Sequence, residues 1–323
     1  IEDVYPQYFP EQNTELEAYQ QIERDLLDAV QYAPDNTPGN KTLFTKSVAR
    51  TLLAKIYAEK PLRDYTKVIQ YCDEVKADGF DLVDDFSDLF GMNAAGTDAK
   101  MRNTKESILE AQFTSGAGNW CTWMFGRDLV NWNNNFTWAK WVTPSRDLIS
   151  AFKQEGDEVR FKESIVYYDC NWSNYYPSDN YPFMYKCRSA NSSIIKYRYA
   201  DVLLLKAEAL IMQDTPDLEG AADIIDEVRD RAKLGALPTS VRSNKNVLLN
   251  ALLKERRLEL AFEGQRWFDL VRLDKVEEVM NAVYAKDSGR KAQIYTFDKN
   301  SYRLPIPQSV IDANDKIHQN PGY

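Results

Sequence analysis

Between Gly116 and Trp141 the chain carries Trp120, Trp123, Trp132, Trp138 and Trp141, with Phe125, Phe136, Arg127 and the run Asn133, Asn134, Asn135. Five indoles within 22 residues, interleaved with amides, form a composition suited to carbohydrate. A flat indole stacks on the apolar face of a pyranose, while amides and guanidinium forks hydrogen-bond the hydroxyls around its edge. A second aromatic stretch, Tyr167 to Tyr185, sets Trp172, Tyr175, Tyr176, Tyr181 and Tyr185 among asparagine, serine and proline. Neither stretch has a helical or strand period, so both read as loops, and loops of this length in a compact domain are usually functional. A single tryptophan could be filler beneath such a loop; all five as filler fit the pattern less well. The candidate ligand-binding residues are Trp120, Trp123, Arg127, Trp132, Asn133, Trp138, Trp141, Trp172 and Tyr175.

Other chemistry finds little support. His318 is the only histidine and lies in a polar tail, which argues against histidine acid/base or triad catalysis. Cys72, Cys121, Cys170 and Cys187 are far apart with no CxxC or Cys/His pairing, so no metal site and no cofactor are expected, although Cys170 with Cys187 could bridge. Glu255 and Glu259 could serve as an acid and a base or as ligands. Arginines nearby would instead hold them ionised and occupied. A glycosidase would need two carboxylates flanking a cleft. Asp128 and Asp147 border the tryptophan stretch, but nothing in their spacing singles them out. Asn171-Trp172-Ser173 matches a glycosylation acceptor, a triplet common by chance, and Met101 with Arg102, near Lys100 and Lys105, reads as an ordinary solvated loop.

At 323 residues and 44% apolar composition, the chain can bury a substantial core in one large domain or two ordinary ones. Its net charge of −9 and pI near 4.9 come without any concentration of lysine and arginine, which argues against a nucleic-acid partner. No apolar run approaches the ~20 residues of a membrane span. The chain opens on Ile1 with no visible signal peptide, from which the expectation is either a removed leader or a fragment.

The elements that must position the loops are helical. Asn13 to Ala33 predicts a helix with Leu16, Tyr19, Ile22, Leu26, Leu27 and Val30 as its apolar stripe. Phe44 to Ala58 and Asp64 to Ala77, with Asp64 as cap, form a helical hairpin of tetratricopeptide size. An echo follows 153 residues later: Ala54 aligns with Ala207, Tyr57 with Leu210, Asp64 with Asp217, and Asp73-Glu74-Val75 with Asp226-Glu227-Val228. Such hairpins bury their apolar faces only against a neighbour. Ser107 to Thr114 predicts a short strand, Pro144 to Lys153 a helix, and Asp274 to Ala285 another. In Leu248 to Leu273, LLNALLKERRLELAFEGQRWFDLVRL, a buried-helix spacing of leucines is crossed by Glu255, Arg256, Glu259, Glu263, Arg266, Asp269 and Arg272, three or four apart. Opposite charges at that spacing can pair along the helix, and unpaired buried charge is costly, so a helix packed on several sides with mutually satisfied ions is expected, bent at Gly264.

Four segments carry a family resemblance: Lys254 to Leu273, KERRLELAFEGQRWFDLVRL; Ile195 to Ala209, IKYRYADVLLLKAEA; the turn GDEVR from Gly156 to Arg160; and the closing YRLPIPQSVIDANDKIHQNPGY. Together they resemble the SusD/RagB family of surface nutrient-binding lipoproteins. The resemblance implies one mainly α SusD-like domain over 1–323, N-terminally incomplete, with tetratricopeptide-like hairpins at 41–80 and 200–234 and a few short strands. It also implies a loop-rich ligand-binding insertion at 115–190 and C-terminal signature helices and tail at 244–323. Family function implies a non-enzyme, tethered by an N-terminal lipid to the outer surface of the outer membrane, that captures oligosaccharide or sometimes peptide and passes it to a SusC-like TonB-dependent transporter. By that analogy the hairpins support the fold or face the transporter while the loops hold the ligand aromatics. A tetratricopeptide scaffold binding only protein is the alternative, one that leaves the tryptophans unexplained, and a glycoside hydrolase the remaining one.

Overall fold

The computed structural model describes residues 9–114, 143–170, 173–287 and 296–323. Helix α1 (Glu15–Tyr32) begins in a capping box between Thr14 and Glu17. Helices α2 (Lys46–Ala58) and α3 (Tyr65–Ala77) form the first hairpin. A short helix α4 (Ser87–Phe90) and strand β1 (Ser107–Ala111) follow. Past residue 142 come α5 (Arg146–Glu155), α6 (Glu158–Ser164), β2 (Ile165–Tyr168), β3 (Tyr181–Met184) and β4 (Ile194–Arg198). The second hairpin is α7 (Tyr199–Met212) and α8 (Leu218–Arg231). A one-turn helix α9 (Thr239–Arg242) leads to α10 (Lys245–Glu259), α11 (Arg266–Arg272), α12 (Val276–Lys286) and α13 (Gln308–Ala313).

The two hairpins are built alike because their sequences place the same residue types at the same points. Asp64 and Asp217 each cap the second helix of their pair, accepting from the backbone N–H of Lys67 at 3.1 Å and of Gly220 at 2.9 Å. Each of these aspartates also donates its own N–H across the turn, to the carbonyls of Tyr57 and Leu210, both at 2.9 Å. Ala54 and Ala207 are fully buried, and their small side chains let the helices approach closely. The hairpins then pack on one another through Leu53, Val68 and Val75 on one side and Leu204, Ile225 and Val228 on the other, with Leu248 and Leu252 of α10 completing the core. Burying one such aliphatic side chain contributes about 1.5 to 3 kcal/mol.

Four expectations are corrected. The stripe of α1 buries only Leu26 fully; Leu16, Ile22 and Leu27 are exposed, because this helix packs chiefly against α2 and the 60–62 turn that follows it. The stretch read as an aromatic loop, Tyr167 to Tyr185, is partly an antiparallel ribbon, with Ile165 opposite Met184 and Tyr168 opposite Tyr181. Cross-strand aromatic contacts such as Tyr168 against Phe183 stabilise it without regular polar alternation. Finally, Arg102 does not lie in a solvated loop. Its guanidinium donates to the carbonyls of Phe113 (2.7 Å) and Asn191 (3.0 Å) and to Ser193 Oγ (3.0 Å), stapling the end of β1 to the approach to β4. Cys170 is a buried free thiol, so no bridge to Cys187 forms.

Candidate functional site

Beneath any ligand surface lies the frame that fixes it, and that frame is ionic. Glu255, Arg256 and Glu259 of α10 are buried, as the leucine spacing implies. Their partners come from distant elements rather than from the same helix. Arg160, placed by the turn in which Gly156 takes a left-handed φ of 70° and Asp157 caps α6, donates to Glu255 at 2.5 Å and to Glu259 at 3.0 Å. Arg198, at the end of β4, reaches Glu106 (2.7 Å), Glu263 (2.7 Å) and Glu259, and Arg231 of α8 joins Glu106 (2.8 Å) to Glu259. Burial alone would raise the Glu259 carboxyl, but Arg231, Arg198 and Arg160 outweigh it and hold the group well below the usual carboxylate range. For Glu255 burial wins over Arg160 and its pKa is raised. A second cluster joins Arg256 to Asp201 (2.7 Å) and Asp269 (2.8 Å), and Arg272 to Glu208 (2.6 Å). Here Arg272 with Asp269 is the one pairing three residues apart that the charge spacing anticipates. Glu255 and Glu259 are thus buried and committed to guanidinium partners.

Of the candidate binding residues, Trp120, Trp123, Arg127, Trp132, Asn133, Trp138, Trp141 and Trp172 lie outside the described residues, as does Asp128. Tyr175 is half-buried. Its hydroxyl donates to Asp287 Oδ2 at 2.6 Å, and the Arg146 guanidinium lies 4.2 Å from its ring centroid and 4.5 Å from that of Tyr176. Arg146 also pairs with Asp287 at 2.9 Å and donates to the Tyr175 carbonyl, while the Tyr176 hydroxyl donates to the carbonyl of Pro144 at 2.7 Å. These bonds lock three pieces of chain together: the start of α5, the 173–176 loop and the end of α12.

Beside this clamp a cleft of about 670 Å³ opens between α5, α10 and α12. Ala151, Val279, Ala282 and Val283 give it a small apolar floor, and Arg146, Arg257, Gln154, Lys254, Lys286 and Asp287 stand around that floor. Convergent donors and acceptors around an apolar patch match what a sugar ring presents, a hydrophobic face edged with hydroxyls. Asp147 lines the same cleft, paired to Arg257 at 2.7 Å. Helix α5 follows the tryptophan stretch directly in sequence, so Trp141 is five residues from the cleft residue Arg146. The cleft is not legible in the sequence because α5 lies about a hundred residues or more from α10 and α12; the signals available were Asp147, bordering the tryptophan stretch, and Tyr175, within the second aromatic stretch. Among the described residues there is no cluster of histidine, cysteine and acidic side chains able to hold a metal, and no helix long and apolar enough to cross a membrane.

Residues 181–323 match the family model for the SusD family. The chain is 43% identical over 99 residues to SusD-like protein P38 of Formosa agariphila, covering 29% of this chain and 19% of that protein. It is 36% identical over 143 residues to SusD-like protein P2 of the same organism, covering 42% and 27% respectively. The chain thus matches less than a third of either relative's length. Its fold superimposes on surface glycan-binding protein A from Bacteroides thetaiotaomicron, solved in complex with laminarihexaose, with a TM-score of 0.74 at 21% identity over 96% of this chain and 72% of that one.

Proposed function

The chain belongs to the SusD family, and from that premise we propose that it is a surface glycan-binding protein that captures oligosaccharide by aromatic stacking and hydrogen bonding, without covalent chemistry. We further propose that it works at the outer face of the outer membrane and passes its ligand to a SusC-like TonB-dependent transporter. The observation that carries the reading is the juxtaposition at α5. A stretch dense in tryptophan and asparagine runs directly into a helix whose side chains edge a half-polar cleft. Trp120, Trp123, Trp132, Trp138, Trp141 and Trp172 are proposed as stacking residues, Arg127 and Asn133 as hydrogen-bonding ones. Tyr175 is proposed to border the site, with its hydroxyl already engaged by Asp287. The complex of a fold relative with laminarihexaose makes that oligosaccharide and laminarin the first ligands to try.

Affinity electrophoresis in gels containing laminarin and other polysaccharides, beside a reducing-sugar assay, tests this. Retardation without sugar release is expected. Ala substitutions at Trp120, Trp123, Trp132, Trp138 and Trp141 are expected to weaken it, by about 1 to 3 kcal/mol at a true hot spot. Five variants all migrating like the parent in every gel would defeat the assignment, and released sugar would turn the reading toward a hydrolase.

A further inference from the structure

A second cavity, of about 440 Å³, lies on another part of the molecule, between α4, β3, β4 and the turn that follows α10. Its walls are Phe90, Met184, Ile194, Ile195 and Phe262, a lining far more apolar than that of the cleft. The turn that supplies Phe262 is unusual. Phe262 holds a left-handed φ of 66° and Gly264 one of 78°, a conformation disfavoured for a bulky residue. It is kept in place because Glu259 and Glu263, on either side, are bonded to Arg198. Strain retained in a cavity wall points to use rather than accident.

Two lysines line this cavity and differ in kind. Lys186 is 5% exposed, donates to Glu263 at 2.6 Å and to the Glu259 carbonyl at 2.8 Å, and lies 4.6 Å from the Phe90 ring centroid, so its charge is already compensated. Burial pushes its ammonium down to about 8, against the pull of Glu263. Lys196 is exposed, which places it at the mouth, and it forms no ion pair among the described residues.

We propose that this cavity binds a small amphipathic acid, its apolar body held between Phe90 and Phe262 and its carboxylate turned outward to Lys196. An apolar body gains by leaving water for such walls, while the charge stays at the wet rim beside the one uncommitted cation of the lining. The polarity of the ligand is thereby fixed: tail inward, head outward. This site is separate from the cleft beside Tyr175, and its occupation does not require the glycan reading.

Isothermal titration of the full chain with octanoate and with 1-octanol tests the proposal. Saturable one-to-one binding of octanoate is expected, weakened at least threefold by Lys196→Gln, more by Lys196→Glu, and retained by Lys196→Arg. Ile194→Trp, which fills the cavity, should abolish it while polysaccharide retardation persists; should that variant melt early, the Lys196 series decides alone, since that side chain is exposed. Absence of saturable binding overturns the proposal, as does octanoate binding indifferent to the Lys196 series. Octanol binding as tightly as octanoate overturns the assignment of an acid.

Discussion

Arg256 donates to carboxylates from two different helices, Asp201 of α7 and Asp269 of α11, and is itself buried. Arg256→Ala would strand both acids away from water, so denaturant unfolding should show a loss of about 3 to 5 kcal/mol; an unchanged midpoint would contradict the buried pairing. Lys186 gives a prediction with a sign. Its folded pKa of about 8 lies below the ordinary lysine value of ~10.4, so between those pH values the unfolded chain binds more protons than the folded one. Its contribution therefore rises with pH across that window. The stability difference between parent and Lys186→Met should shift in favour of the parent from about pH 8 to pH 10, and a difference that stayed flat or moved the other way would refute the assignment. That these charges are buried is legible in the sequence, since aliphatics surround them. Their partners are not: Arg160 and Glu255 are 95 residues apart, and helical spacing suggests local pairs that the fold replaces with distant ones.

Elements were more readable where a single residue dictates a boundary. Asp64 and Asp217 each satisfy an N–H of the first turn that would otherwise lack a partner, so Asp64→Ala and Asp217→Ala should each cost about 1 kcal/mol, read as a lower melting temperature. A variant melting with the parent would remove the cap from the account of that hairpin. Ser145, capping α5, and Gly156, ending it, bound the helix predicted from Pro144 to Lys153. The β2–β3 ribbon was not readable, because residues 165–168 and 181–184 are nearly all apolar or aromatic and show no alternation; cross-strand packing defines them. For α1 the period was correct and the burial was not, since periodicity marks which residues share a face and not whether anything covers it.

At the scale of the whole molecule, the helical architecture followed from the repeated hairpins and the signature segment, whereas the cleft required three-dimensional proximity of α5, α10 and α12. If the proposed hand-off operates, the protein should co-purify with a TonB-dependent barrel from detergent-extracted outer membranes, and recovery free of any barrel under gentle extraction would count against it.

The Glu259 cluster draws on residues 106, 160, 198 and 231, positions scattered over much of the chain's length. The backbone is therefore not the only tie among those regions. A protease that cut an exposed stretch between these anchors would leave fragments still gripping one another through shared charge, and dilution alone would not part them. For a protein proposed to work outdoors, among secreted enzymes, a nick need not mean loss of the frame.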